Sequence, residues 1–267
     1  MIRDNNKDDM FFVLNADIIC PYPFEEMLKV HKEKKATATM VLTPVKDPSK
    51  YGVVVTDEEG KAKMFVEKPK EYITNTINAG MYLLSTDVLE KIELKPTSIE
   101  REIFPIIAQE GGLFTLKLDG FWMDVGQPKD YLIGLELWLN HLESNNDPRV
   151  SKGSNILGGC MIHPTAKVSP ISKIGPNVTI GENCVIKDGV RLRNCAILSD
   201  TVINEHSIIM NTIIGWKNVI GSWVRIENYS VFGEDVKVKD ELFINGTIVL
   251  SHKVITENDY EPGNIIM

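Results

Sequence analysis

The sequence predicts two domains in tandem, an α/β domain followed by a parallel β-helix, and three observations carry that expectation. Aliphatic residues recur every six positions through the second half of the chain. Short apolar and β-rich runs alternate with a helical segment in the first half. A polar break, Ser144-Asn145-Asn146-Asp147-Pro148, separates the two patterns. With 267 residues the chain is long enough for two cores. The expected bounds are 1–147 for the first domain, 148–159 for a linker and 160–267 for the coil with its tail.

In the first half, Phe11-Phe12-Val13-Leu14 reads as a buried parallel strand ending at Asn15-Ala16-Asp17. Residues 23–35 have helical composition, with Phe24, Met27, Leu28 and His31 on one stripe. Strands are expected at 37–45, at 52–56 and 62–66 around the turn Asp57-Glu58-Glu59-Gly60, and at 77–84. Pro128 opens a long amphipathic helix, with Tyr131, Leu132, Leu135, Trp138, Leu139 and Leu142 on its core face.

The coil begins at Ile162 and counts through Val168, Ile174, Ile180, Ile186, Leu192 and Leu198. After a slip of four to Val202 it resumes at Ile208, Ile214, Ile220, Ile226, Phe232 and Val238. Neither a helix nor a flat strand has period six, so three hexads make one triangular turn of coil with these residues inward. Turns stack about 4.8 Å apart. A smaller inward set follows four residues later: Val178, Cys184, Val190, Ala196, then Val224, Ser230 and Val236. Five inward positions precede glycine (Gly175, Gly181, Gly215, Gly221, Gly233), expected where the backbone is crowded or takes an unusual angle.

Net charge is −8 and the pI about 5.3, which argues against a nucleic-acid or anionic-lipid partner. No stretch approaches the roughly 18 apolar residues of a membrane span. The opening residues Met1 to Met10 are charged and polar, without a secretory pattern. Cys20, Cys160, Cys184 and Cys195 form no C-x-x-C pair, so reduced thiols and a cytoplasmic location are expected.

Several short sequences could carry chemistry. Asp17 and Asp124 each end a short apolar run, where open α/β sheets place ligands. Together they could clamp Mg²⁺, a hard cation that takes oxygen donors; each alone could equally form a turn or cap a helix. Lys68, in Glu67-Lys68-Pro69, could reach a phosphate or point into solvent. Asn78, in Asn78-Ala79-Gly80, could meet sugar hydroxyls or cap an edge.

Taken in order, 48–55 (PSKYGVVV), 65–69 (FVEKP), 78–82 (NAGMY) and 121–128 (FWMDVGQP) resemble the sugar-phosphate nucleotidyltransferases. Segments 96–105 (PTSIEREIFP), 223–228 (WVRIEN) and the terminal Ile265-Ile266-Met267 narrow the likeness to eukaryotic mannose-1-phosphate guanylyltransferases (GDP-mannose pyrophosphorylases) of the β-type catalytic kind. The resemblance covers essentially the whole chain. It implies a Rossmann-like transferase domain followed by a left-handed β-helix of hexapeptide repeats. It implies that Asp17 and Asp124 hold Mg²⁺ as cofactor, that Glu67 and Asn78 contact sugar hydroxyls beside Gly52, and that Lys68 pairs with the sugar phosphate. The reaction implied joins mannose 1-phosphate to GTP, giving GDP-mannose and pyrophosphate, in a homo-oligomer or a hetero-oligomer with a paralogous regulatory subunit.

The family's glycine-rich loop, Gly-Gly-x-Gly-Thr-Arg-Leu, is not found in the sequence. That loop wraps the triphosphate with backbone N–H groups. The α/β domain is therefore expected to be N-terminally incomplete, with its first strand exposing an apolar edge and face, and no GTP-dependent turnover is expected of the chain as it stands. A non-catalytic regulatory or assembly subunit is the alternative. A β-helix acyltransferase would need a catalytic histidine, and neither His163 nor His206 has a carboxylate partner by spacing.

Overall fold

Why the chain divides is visible in which apolar faces find partners. The computed structural model describes residues 9–267, so most of the polar opening stretch lies outside the described residues. Two compact units result, one through Trp122 and one from Met123 onward.

The first unit is a mixed sheet. Its strands are β1 (Met10–Leu14), β2 (Ala38–Pro44), β3 (Gly52–Thr56), β4 (Ala62–Glu67), β5 (Thr76–Ser85) and β6 (Leu113–Lys117). Their order is β4-β3-β5-β2-β6, with β1 also paired to β5. Only β2 and β6 run parallel; the other pairs are antiparallel. The ten residues of β5 are nearly all buried, because both of its faces are covered. One cluster joins Ala38, Met40, Tyr82 and Leu84 to Phe104 and Ile107 of α2 (Phe104–Gln109). The other joins Val41, Ala79, Met81 and Leu83 to Met27 of α1 (Phe24–Lys34).

The first strand departs from expectation in its direction, while its exposed apolar face is as expected. The apolar run predicts a buried parallel strand, but β1 runs antiparallel to β5, with Leu14 opposite Met81. An antiparallel strand can leave one face wet. Phe11 and Val13 accordingly pack on the core, while Phe12 and Leu14 are 36% and 43% exposed. Helix α1 buries Met27 and His31 and ends at Lys35, whose left-handed φ of 48° cannot continue a helix. Phe24 stays outside the core, stacked on Tyr22 at 5.7 Å. His31 bonds Thr39 Oγ1 at 2.9 Å and Ser85 Oγ at 3.1 Å, and burial holds its pKa below the ordinary histidine value.

The second unit opens with the short strand Met123–Asp124 and helix α3 (Pro128–Ser144), which has proline at its first position as expected. Leu132, Leu135 and Leu139 pack on Ala196, flanked by Met161 and Ile213. The polar break after α3 thus separates it from the coil in sequence while its apolar stripe rests on the coil's outer face. Of the stripe read from the sequence, Tyr131 is exposed and Trp138 half-buried.

Beyond it the chain winds into a left-handed parallel β-helix of about six turns. Successive turns pair in register, as in Val185–Val202–Val219. The hexad count is one residue off in three places. Ile197, Ile203 and Ile209 point inward, not Leu198, Val202 and Ile208. Likewise Cys195 is interior, and Ala196 faces α3. The cause is two sides of five residues, Leu192 to Ile197 and Ile209 to Ile214: Ile180 pairs with Ile197 and Leu192 with Ile209, turns of seventeen, whereas Ile213 pairs with Val231 across eighteen. Gly215 shows why glycine follows an inward position. A Cβ there would lie 2.5 Å from the carbonyl oxygens of Phe232 and Gly233 on the next turn.

Candidate active site

A row of three residues crosses the first unit's sheet. Gly52 on β3 is paired with Glu67 on β4. On its other side Val53 pairs with Ile77, which puts Gly52 next to Asn78 on β5. Neighbours in one row share a face, so a glycine in the middle leaves a floor between a carboxylate and an amide. That floor is filled by Glu67 itself: a Cβ on Gly52 would lie 2.6 Å from Glu67 Oε2 and 2.9 Å from Phe65 Cζ. Beneath it, Phe65 meets Phe104 at 5.9 Å and Phe104 meets Tyr82 at 4.8 Å.

Asn78 is held from three directions. Its Nδ2 donates to Tyr82 Oη and to Glu100 Oε1, the latter at 3.3 Å, and its Oδ1 accepts the Gly80 N–H at 2.9 Å. Tyr82 Oη in turn donates to Glu100 Oε1 at 3.0 Å. Both amide hydrogens are used, so the spare capacity is the second lone pair of Oδ1, an acceptor for a hydroxyl.

The electrostatics favour a polar, hydroxyl-bearing guest. Burial pushes the Glu67 carboxyl above the usual range, Glu100 pushes it further, and Lys68 and Arg101 pull it back. Burial raises the Tyr82 phenol as well, so it remains a neutral donor. Lys68 is exposed, turns the chain with a φ of 47°, and donates its backbone N–H to Tyr51 O at 3.2 Å. Tyr51 meets the Trp122 ring edge-on at 5.4 Å, and Trp122 Nε1 donates to Ala79 O at 3.0 Å. The backbone around Asn78, Lys68 and Trp122 is therefore fixed by one connected set of contacts.

The two aspartates lie in different units. Asp17 is exposed, two residues past Asn15, whose N–H bonds Gly80 O at 2.8 Å. Asp124 is half-buried, and its Oδ1 accepts the Gly126 N–H at 3.0 Å, so it does form the turn that was one of its two readings. Its other oxygen stays available. Neither carboxylate joins an ion pair among the described residues, and both are hard oxygen donors of the kind a divalent cation accepts. Among the described residues no group of three or more His, Cys, Asp or Glu is gathered as a metal centre.

Sequence reasoning gave Glu100, Tyr82 and Arg101 no role. Tyr82 was within reach, being four positions after Asn78 and so on the same strand face. Glu100 had no such signal, because it sits on the irregular π-helical turn Ile99–Ile103.

Comparison with known proteins supplies the context. Residues 1–139 match the model described as nucleotidyl transferase, and residues 156–265 match the GMPPB C-terminal domain. A zebrafish (Danio rerio) protein named mannose-1-phosphate guanylyltransferase catalytic subunit beta is 50% identical over 268 residues, covering 100% of this chain and 74% of that protein. An Arabidopsis thaliana mannose-1-phosphate guanylyltransferase 1 is 48% identical over 253 residues, covering 94% of this chain and 70% of that protein. A Xenopus tropicalis catalytic subunit beta of the same name is 49% identical over 260 residues, covering 97% and 72%.

Proposed function

The chain belongs to the mannose-1-phosphate guanylyltransferase family of nucleotidyltransferases, and from that membership we propose that it serves GDP-mannose synthesis by binding mannose 1-phosphate on the Glu67–Gly52–Asn78 row. The observation that carries the reading is a carboxylate and an amide oxygen held apart by a glycine, with an exposed lysine beside them. Glu67 and Asn78 Oδ1 would accept hydrogen bonds from sugar hydroxyls, and Lys68 would pair with the phosphate.

In the transfer, a phosphate oxygen of mannose 1-phosphate attacks the α-phosphorus of GTP. The bond from that phosphorus to the bridging oxygen breaks, and pyrophosphate leaves with the electron pair. Such chemistry depends on positioning and charge neutralisation and needs no protein nucleophile. Asp17 and Asp124 would hold Mg²⁺, completed by waters and phosphate oxygens. Bound there, Mg²⁺ supplies charge neutralisation as the two anionic substrates meet. The chain's own groups orient the sugar and keep its phosphate in line.

The finer readings follow the same family logic. The coil is the assembly module, pairing with a second copy or a paralogous subunit; exposed Ile248 and Ile265, adjacent in register on one outer face, support this. Four buried free thiols accord with a reducing cytoplasm.

Calorimetric titration with mannose 1-phosphate tests the binding half. Saturable binding lost in Glu67→Ala is expected, and equal affinity in that variant sinks the assignment. Coupled pyrophosphate release tests the transfer half in a form of the protein that carries the family's glycine-rich loop: Mg²⁺-dependent activity there should vanish in Asp17→Ala and Asp124→Ala, and normal turnover in either removes the metal assignment.

A further inference from the structure

Some cations on the coil carry their own counter-charge. Arg225 Nε and Nη2 both donate to Glu227 Oε2, at 2.9 and 2.8 Å. Lys217 reaches Glu234 at 2.6 Å, and Lys187 reaches Glu205 at 3.3 Å. Three cations without an ion pair among the described residues stand side by side. Lys173 pairs in register with Arg191, and Arg193 follows two positions on.

All three side chains are exposed, and the residue between the arginines, Leu192, is buried in the coil interior. Alternation along a strand puts Arg191 and Arg193 on the same outer face. Lys173 stands one strand spacing away from Arg191, about 4.8 Å, and Arg193 about 6.6 Å along the strand. The next turn offers no carboxylate in register: Ile208 lies beside Arg191 and Met210 beside Arg193. Among the described residues none of the three forms an ion pair.

Like charges directly opposite on neighbouring strands repel. In a protein of net charge −8, with 37 carboxylates against 29 lysines and arginines, an uncompensated basic triad is unexpected. A bound anion removes the repulsion. Two guanidinium forks and an ammonium, spread over roughly 5–7 Å, fit an anion with two adjacent charged centres better than a single phosphate.

We propose that Lys173, Arg191 and Arg193 form a binding site for a diphosphate group on the outer face of the β-helix, separate from the Glu67–Gly52–Asn78 row. The site does not depend on the catalytic reading, and its test is kept apart from it. Calorimetric titration with inorganic pyrophosphate is run in the Lys68→Gln background, which removes the phosphate contact proposed for the first unit. One-site binding is expected. It should weaken at least about tenfold in Arg191→Gln/Arg193→Gln, and inorganic orthophosphate should bind more weakly than pyrophosphate.

Absent binding, an affinity unchanged by the double substitution, or orthophosphate binding as tightly as pyrophosphate would each overturn the proposal. Thermal melting of ligand-free protein at low salt checks the premise: Arg191→Gln should melt at or above the parent temperature. A lower melting temperature would mean that Arg191 has an intramolecular partner, and the site would fall.

Discussion

Replacing Gly52 with alanine tests the floor of the candidate site with one methyl group. The new Cβ would lie 2.6 Å from Glu67 Oε2 and 2.9 Å from Phe65 Cζ, against an unstrained carbon contact of about 3.5–4.0 Å. Glu67 is the end of a flexible chain and can swing aside. Phe65, 8% exposed and packed on Phe104 at 5.9 Å, cannot follow. Overpacking of this kind costs about 1–3 kcal/mol. A displaced Glu67 also loses a charge-assisted hydrogen bond to the ligand, worth about 1.5–3 kcal/mol, or about ten- to a hundredfold in Kd for mannose 1-phosphate. The affinity effect passes through the Glu67 carboxylate and the stability effect only partly so, the rest falling on Phe65, so a double-mutant cycle decides. In a Glu67→Ala background, Gly52→Ala should lose its effect on Kd and part of its effect on stability, measured by calorimetry and urea melts. Additivity within about 0.5 kcal/mol in both quantities would refute the reasoning.

Glu67→Gln should bind sugar phosphate more weakly yet melt no lower than the parent, because the folded state raises the pKa of the charged form; a clear fall in Tm would contradict this. His31 has a folded pKa below its unfolded value of 6.5, so its contribution is intact above that value and is lost as pH falls through the folded pKa. Melting between about pH 7 and about pH 5 should show a slope that flattens in His31→Gln. Inside the coil, Ile197→Ala should cost about 2–5 kcal/mol and Leu198→Ala less than about 1 kcal/mol in urea melts. The reverse order would restore the hexad count through Leu198.

The coil was legible because inward positions in stacked turns must be apolar, and that demand repeats. Its register failed at Ile197-Leu198, Val202-Ile203 and Ile208-Ile209, each a doublet of two apolar residues. Hydropathy cannot say which member faces in; the five-residue sides and the helix lying on Ala196 decide it. The sheet strands were legible from their β-branched runs, whereas the direction of Phe11 to Leu14 was set by a partner 67 to 73 residues away, from Met81 opposite Leu14 to Leu84 opposite Phe11. Glu67, Gly52 and Asn78 stood out through short motifs, and the register then explained their company. Glu100 acts from a turn with no periodicity, and nothing in its neighbourhood announces that its carboxylate steadies an amide 22 residues earlier.

The mixture of seventeen- and eighteen-residue turns has a consequence for how this protein tolerates change in length. In an α-helix, a deleted residue rotates everything downstream by about 100° and misdirects a whole face. Here the corner absorbs the difference. Val185, Val202 and Val219 keep their pairing across two short turns, and Val219 to Lys237 keeps it across a long one. An insertion or loss at a corner is therefore a local event, healed by the next hydrogen-bonded rung. Heritable length variation should gather at those corners and leave the stack around them unchanged.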